Sequence, residues 1–190
     1  VMGSKKLKAV VLARGEGRPV LKDKDRLSAV ADQQFELYKN GIVYKSGTLD
    51  GVIGSVMSKD GTVPVKNYST NVFDITPDKL DKFSALYVRS HFEPKPSPCW
   101  ACRMHHCNKI TLTEEPFKGY KGEEPEYECL AAFGPVIGVS DAAATIFLSN
   151  EADRLGIDAN ETGWTIGLAM ECFEKGLLTT KETDGLQLTW

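Results

Sequence analysis

The stretch that decides the fold runs from Tyr127 to Asp158 and reads YECLAAF-GPVIGVS-DAAATIFLSNEADRLGID. Its first seven residues predict a short helix that ends at Gly134-Pro135, because proline lacks an amide donor and clashes inside a helix. Ser140-Asp141 supplies a capping side chain for a second, amphipathic helix. Gly156 then lies where a left-handed C-terminal cap belongs. The chain is therefore predicted to be mainly α-helical.

Three further helices are predicted outside this stretch. Lys22 to Asn40 carries apolar residues near helical spacing, and Glu161 to Lys175 does the same before Gly176 ends the helix. Thr76-Pro77 is a strong helix start, since a hydroxyl precedes a proline at the first helical position. The apolar face of that third helix is expected to consist of Leu80, Phe83, Leu86 and Tyr87.

The remaining segments predict a strand and loops. Leu7 to Ala13 is short, apolar and β-branched, which predicts a buried strand and thus a short β element at the N-terminus. Residues 47–68 are rich in glycine and polar residues and predict a structured loop. The prolines at 94, 96 and 98 predict an extended approach to Cys99. Residues 114–124 predict a charged loop.

The composition excludes several function classes. The 190 residues include 23 Lys and Arg against 26 Asp and Glu, so the basic excess typical of nucleic-acid binders is absent. No apolar run approaches the roughly 20 residues that a membrane-spanning helix needs. The 5 cysteines are odd in number and three of them lie within residues 99–107, whereas secreted disulfide scaffolds usually carry an even, dispersed set.

The clustered cysteines follow the spacing C-x2-C-x4-C at Cys99, Cys102 and Cys107. Two intervening residues bring the first pair of thiols to one side of a tight turn, and four more residues can bring the third thiol round. A zinc site completed by His105 or His106, an iron–sulfur cluster with a remote fourth ligand, and cysteines without a metal all remain open on spacing alone.

An ordered set of motifs along nearly the whole chain resembles the tungsten-containing aldehyde:ferredoxin oxidoreductase family. The cysteine triplet resembles the family's cluster-binding motif, and Asp153 to Asp158 matches the family's pterin-binding D-x-x-G-x-D. Further similar segments are M-G-S-K-x-L-K-A at residues 2–9, G-P-E-Y-E-x-L-A-A within residues 122–132, A-M-E-x-x-E-K-G within residues 163–176, and the lead into W-G-N at residues 182–190.

The resemblance implies a set of cofactors. Cys99, Cys102 and Cys107 would supply three ligands of a [4Fe-4S] cluster, whose fourth cysteine lies in a C-terminal domain of the family. Asp153, Gly156 and Asp158 would contact one of two pterins that chelate tungsten or molybdenum in the full-length protein. Cys129 and Cys172 are then expected to pack in the interior.

The resemblance also implies a catalytic carboxylate beside the metal. Glu126 and Glu128 flank Tyr127 in the relevant segment, and only one of them can face the metal from a helix. By register with the family, Glu128 is the predicted proton-transfer residue, since a carboxyl near a metal can serve as a general base or acid. Without the resemblance, both would be read as helix N-terminal carboxylates.

Two positions depart from the family pattern. Some members carry E-x-x-H six residues before the D-x-x-G aspartate, where they hold an iron shared between subunits, but Phe147 and Asn150 stand here. A bridging iron is therefore not expected. His105 and His106 have no counterpart in the pattern and are interpreted as loop residues.

The resemblance implies that the chain is a central fragment. Residues 1–20 would close the preceding pterin-binding domain, and residues 21–190 would form a helical domain whose C-terminal part is missing. The intact enzyme is expected to be cytoplasmic, and a homo-oligomer is possible. It is expected to oxidise small aldehydes, with ferredoxin or an electron-transfer subunit as electron acceptor. The isolated fragment is expected to lack activity and metal.

Two alternatives to aldehyde oxidation remain at this point. The first keeps the fold but makes the chain part of a tungsten-dependent benzoyl-CoA reductase, with residues 50–76 as a variable pocket wall. The second is a non-catalytic zinc- or cluster-binding module. Metal content separates the module from both enzymes.

Overall fold

The computed structural model describes residues 1–13, 15–41, 60–103 and 107–190. The described part of the chain is mainly helical, as predicted. Its α-helices are α1 (Lys24–Tyr38), α2 (Pro77–Asp81), α3 (Ala85–His91), α4 (Tyr127–Phe133), α5 (Ala142–Leu155) and α6 (Ala159–Glu174), with short 3-10 turns at Gly3–Lys5 and Pro135–Ile137.

Local capping explains where these helices begin and end. The Asp141 carboxylate accepts a hydrogen bond from the Ala144 amide at 3.0 Å and begins α5, as the sequence predicts. Gly156 ends α5 with a φ of 70°, the left-handed conformation that favours glycine. The Asp158 carboxylate then accepts from the Glu161 amide at 2.8 Å and begins α6.

The helix predicted from Thr76 is interrupted. It begins at Pro77 as expected but ends at Asp81, because Ser84 turns the chain and caps a new helix. The Ser84 hydroxyl accepts from the Tyr87 amide at 3.2 Å. Phe83 is consequently buried in the turn, whereas Leu86 is 79% exposed, so the prediction of one continuous apolar face that includes Leu86 is wrong.

The sheet lies in the middle of the chain. Strands β1 (Lys95–Pro96), β2 (Asn108–Thr111) and β3 (Lys121–Glu123) form an antiparallel sheet in the order β1-β2-β3. Lys95 pairs with Lys109, and Ile110 pairs with Gly122. The proline-rich approach to Cys99 is thus extended as predicted, and the charged loop contributes β3.

The predicted buried strand at Leu7 to Ala13 is wrong for this structure. These residues form no strand, and Val11 and Leu12 are 87% and 90% exposed. A buried strand needs neighbouring strands to satisfy its backbone, and residues 1–13 have none among the residues described. The part of the predicted loop at residues 47–59, and of the predicted pocket wall at residues 50–59, lies outside the described residues.

Two groups of buried side chains form the core. The larger joins α3, β2, α4 and α5 through Phe83, Phe92, Ile110, Leu130 and Ile146, all of which are 2% exposed or less. The smaller joins α4, the Pro135–Ile137 turn and α6. Both α4 and α5 contribute to the two groups, so this pair of helices is central to the described fold.

The packing of α6 on α4 depends on a glycine. A Cβ at Gly163 would lie 2.5 Å from both the Cβ and the carbonyl oxygen of Ala132. Real Cβ atoms do not approach backbone this closely, so only glycine lets the two helices meet at this separation.

Within the described residues, no single helix has the length and apolar content to cross a membrane, although the bent pair Tyr127–Ile137 and Ala142–Leu155 together meets that test by length and composition.

Replacing Gly163 with alanine is expected to lower the free energy of unfolding by about 2 kcal/mol, because the added methyl group must push α6 away from α4. The sign of this change separates packing from helix propensity. By propensity alone, alanine stabilises a helix by about 1 kcal/mol relative to glycine, so a loss of stability points to packing. Urea unfolding followed by circular dichroism measures the change. The matched control is Gly17→Ala, where no heavy atom lies within 4 Å of the new Cβ; an unchanged midpoint for Gly163→Ala would contradict the packing argument.

Candidate functional site

A cavity of about 360 Å³ brings together residues that are far apart in the sequence. We call it the cysteine cavity. The cysteine and acidic residues of its lining are Cys99, Cys107, Glu123, Glu124, Glu126, Cys129 and Asp153.

Backbone hydrogen bonds shape the cysteine loop at one side of this cavity. The Cys102 amide donates to the Cys99 carbonyl at 3.0 Å, which closes the tight turn expected of C-x2-C. The Ser97 amide donates to the Cys107 carbonyl at 3.0 Å and so joins the two ends of the loop. Cys99 is exposed, whereas Cys102 and Cys107 are half-buried.

The donor set fits an iron–sulfur cluster in its chemistry. Three thiols on one short loop are soft ligands of the type that such clusters require, and Cys99 and Cys107 face the same cavity. Among the residues described, no three His, Cys, Asp or Glu side chains converge closely enough to enclose a single metal ion. His105 and His106 lie outside the described residues.

Negative charge beside Cys107 opposes its ionisation. The thiol lies 3.8 Å from Oε1 of Glu126 and donates a hydrogen bond to it. Burial raises the pKa of the Cys107 thiol, and the Glu126 carboxylate and Cys99 raise it further. In the absence of a cation the site therefore holds a protonated thiol, whereas a bound metal would favour the thiolate.

Cys129, on α4, also lines the cavity. Burial raises the pKa of its thiol, a hydrogen bond with Ser149 acts in the opposite direction, and Asp153 adds to the rise. It also contacts the smaller group of core residues, as expected for a packing cysteine. The sequence alone did not indicate that it shares a cavity with the cysteine loop.

Glu124 lines the cavity and forms an ion pair with Arg89 outside it. Nε and Nη2 of Arg89 donate to the two carboxylate oxygens of Glu124 at 2.7 and 3.1 Å. Nδ2 of Asn108 donates to the same carboxylate at 2.6 Å. The Glu124 side chain is only 4% exposed, and nothing in its local sequence distinguishes it from the other acidic residues of the charged loop.

The two glutamates that flank Tyr127 have different surroundings. Glu126 lines the cysteine cavity, whereas Glu128 is exposed in the first turn of α4 and does not line it. The predicted acid–base role of Glu128 stays a prediction. Glu126 is the glutamate of the pair that contacts a predicted cluster ligand.

The D-x-x-G-x-D motif forms the turn between α5 and α6. Asp153 lines the cysteine cavity, so the structure brings this predicted pterin ligand to the predicted cluster ligands. Gly156 supplies the left-handed residue, and Nζ of Lys8 donates to the Leu155 carbonyl beside it. Asp158 caps α6 and does not line the cavity.

Comparison with known proteins agrees with this arrangement. The family model "Aldehyde ferredoxin oxidoreductase, domains 2 & 3" matches residues 28–190. This chain belongs to the aldehyde ferredoxin oxidoreductase family. The family match covers the cysteine loop, α4 and the D-x-x-G-x-D turn, whereas residues 1–27 lie outside it.

The relatives of this family member include several tungsten-containing aldehyde ferredoxin oxidoreductases. The one from Thermococcus kodakarensis is 32% identical in an alignment of 188 positions, which covers 96% of this chain and 29% of that protein. The one from Pyrococcus abyssi is 32% identical over 97% of this chain and 30% of that protein. An aliphatic sulfonate oxidoreductase, WOR-like subunit, from Pyrococcus furiosus is 30% identical over all of this chain and 30% of its own length. The chain thus spans less than a third of these relatives.

The two positions at which this aldehyde ferredoxin oxidoreductase family member departs from the family pattern, Phe147 and Asn150, contribute to packing. The Phe147 ring stacks on Phe117 with centroids 4.7 Å apart and meets Tyr120 at 4.9 Å. Oδ1 of Asn150 accepts from the Glu123 amide at 2.7 Å, and its Nδ2 donates to the Glu123 carbonyl at 3.0 Å. Phe147 therefore packs the charged loop of residues 114–124 against α5, and Asn150 attaches β3 to the same helix.

Replacing Glu126 with glutamine is expected to speed alkylation of Cys107 by iodoacetamide at pH 8 by about threefold in metal-free protein. Removing the negative charge lowers the pKa of the thiol and increases the reactive thiolate fraction. Peptide mass spectrometry measures the rate at Cys107. Glu128→Gln, two residues away but outside the cavity, is the control and leaves that rate unchanged; equal rates in wild type and Glu126→Gln would contradict the assigned contact.

Proposed function

We propose that this chain is the central part of a tungsten- or molybdenum-dependent oxidoreductase that oxidises aldehydes to carboxylic acids. The observation that carries the proposal is the cysteine cavity, in which Cys99 and Cys107 meet Asp153 of the D-x-x-G-x-D turn. Family membership supports the same conclusion, as do relatives named for tungsten and aldehydes. The family match and these relatives do not favour the benzoyl-CoA reductase or the non-catalytic module.

In this proposal the cysteine loop holds one edge of a [4Fe-4S] cluster. Cys99, Cys102 and Cys107 supply three thiolates, and a fourth comes from outside this chain. The Ser97–Cys107 and Cys99–Cys102 backbone hydrogen bonds hold the loop in shape. Burial and the Glu126 carboxylate disfavour ionisation of Cys107, so its proton must leave when iron binds.

The D-x-x-G-x-D turn is proposed to contact one pterin. The Asp153 carboxylate can accept hydrogen bonds from ring N–H and amino groups. Gly156 lets backbone approach a large ligand closely. One oxygen of Asp158 is already used to cap α6, which leaves the other for a ligand. The bound metal would supply the two-electron redox chemistry.

Glu128 is proposed to act as the general base that accepts a proton during aldehyde oxidation. The overall conversion adds water to an aldehyde and releases a carboxylic acid, two protons and two electrons. A carboxylate at Glu128 can accept the proton lost by water and pass it to solvent, because its side chain is exposed in α4.

The partners and the domain limits belong to the same proposal. Ferredoxin or an electron-transfer subunit would accept the two electrons, one at a time, and small aldehydes would be the substrates. Residues 1–20 would close a preceding pterin-binding domain and residues 21–190 would belong to the helical domain. Clustered thiols favour a reducing, cytoplasmic location.

Metal analysis of the intact protein that contains this chain tests the proposal. We expect tungsten or molybdenum together with iron, and aldehyde-dependent reduction of ferredoxin. One zinc per chain, without visible iron–sulfur absorbance, would instead support the binding module. A relative named for aliphatic sulfonates is nearly as similar as those named for aldehydes, so a sulfonate is the first alternative substrate to assay.

Replacing Cys102 with alanine is expected to remove the cluster, because two loop thiolates cannot replace three. Iron content and visible absorbance of the purified protein measure the loss. The matched control is Cys172→Ala on α6, a half-buried cysteine outside the cysteine cavity, which keeps its iron. Equal iron in the two variants would exclude the ligand assignment.

Replacing Glu128 with glutamine is expected to lower kcat for aldehyde oxidation by about 100-fold while tungsten and iron contents stay unchanged. The reason is that glutamine keeps the shape of the side chain but cannot take a proton. Steady-state kinetics measure the effect. Glu126→Gln is measured in parallel; a large loss of kcat there with normal turnover in Glu128→Gln would move the acid–base role to Glu126.

A further inference from the structure

The Arg89–Glu124 ion pair is buried where it can act on a cluster. Arg89, on α3, holds both oxygens of the Glu124 carboxylate, and the two side chains are 19% and 4% exposed. A bidentate guanidinium–carboxylate contact has a fixed geometry. Glu124 lines the cavity that the cysteine loop faces, and Arg89 fixes the position of its carboxylate there.

The pair is joined to Asn108, the residue that follows Cys107, by two hydrogen bonds. Nδ2 of Asn108 donates to Glu124 at 2.6 Å, and the Glu124 amide donates to the Asn108 carbonyl at 2.8 Å. Asn108 directly follows Cys107 in the chain. Arg89 thus holds Glu124, and Glu124 holds the residue next to a predicted cluster ligand.

The distance across the cavity is short on an electrostatic scale. A volume of about 360 Å³ corresponds to a sphere roughly 9 Å across, which is less than the ~10 Å Debye length at 0.1 M salt. Glu124 and Cys107 both line this space. A change in charge at the ion pair is therefore poorly screened at the cysteine loop.

We propose that the Arg89–Glu124 pair sets the reduction potential of the iron–sulfur cluster held by the cysteine loop. Arg89 is a positioning residue that neutralises Glu124, so the cluster does not experience an uncompensated negative charge. This inference rests on the proposed function, since it requires the cluster to be present. The electron involved is the one that the cluster accepts from dithionite in a redox titration.

The test uses the intact protein that contains this chain, titrated with dithionite and followed by the paramagnetic signal of the reduced cluster. In Glu124→Gln the Arg89 charge remains, because a guanidinium does not lose its proton. The cluster should then be easier to reduce. We expect the ratio of reduced to oxidised cluster at a fixed potential to rise about tenfold, a positive shift of about 59 mV for one electron.

Two further variants separate charge from structure. The double variant Arg89→Gln with Glu124→Gln carries neither charge and is expected to return to the wild-type potential. Arg89→Gln alone leaves the Glu124 carboxylate without its guanidinium partner and should shift the potential in the negative direction. If Glu124→Gln fails to retain the cluster, the Arg89→Gln variant still tests the proposal. An unchanged reduction potential in Arg89→Gln would then overturn it.

The matched control is Glu114→Gln, which also removes the carboxylate of a partly buried ion pair. Glu114 pairs with Lys82 at 3.1 Å, and neither residue lines the cysteine cavity. We expect no shift in this control. Unchanged potentials in Glu124→Gln and Arg89→Gln, with a normal cluster signal in wild type, would overturn this inference alone. A wild-type protein without a cluster signal would overturn the proposed function.

Discussion

The side chain of Asn150 fixes the arrangement on which the rest of the site depends. It binds both the amide and the carbonyl of Glu123, and it also donates to the Ile146 carbonyl one turn back in α5. The close approach requires a glycine at position 122, where a Cβ would lie 2.6 Å from the Asn150 side chain. Strand β3 is thereby attached to α5, and β2 follows through the sheet. Since β2 begins directly after Cys107 and α5 carries Asp153, this single attachment brings the cysteine loop to the D-x-x-G-x-D turn.

The helices of this fold were largely predictable because their signals are local. Asp141 and Gly156 mark the two ends of α5 through their own backbone and side-chain preferences, and the structure places the helix between them. The strand expected at residues 7–13 failed for the opposite reason, because burial of a strand depends on neighbours that no local pattern specifies. Ser84 shows a third case. Its capping hydroxyl competes with helix continuation, so the apolar periodicity from Leu80 to Tyr87 was interrupted by a residue that favours helix starts.

Local patterns indicated which residues to consider as ligands, but they did not indicate the surroundings of those residues. Cysteine spacing and the D-x-x-G-x-D motif are local patterns, and Asp153 does lie beside Cys99 and Cys107. The ion pair between Arg89 and Glu124 joins residues 35 positions apart. Neither residue belongs to a motif, so only the folded chain identifies Glu124 as the buried member of an acidic loop. Glu126 and Glu128 illustrate the same limit, because helical register shows that they point in different directions but not which direction leads to the cysteines.

The carboxylates that line the cysteine cavity affect the ionisation of the thiols that share it. Glu124, Glu126 and Asp153 place three carboxylates around Cys107 and Cys129, and burial raises the pKa of both thiols. Glu124 is paired with the guanidinium of Arg89. Ionising the thiols would therefore add negative charge to an already anionic, partly buried space. In the proposed function, iron supplies the positive charge that makes thiolates favourable there, and metal binding is coupled to proton release from the loop. The Arg89–Glu124 pair then matters because, being neutral overall, it fixes Asn108 without adding to that negative charge.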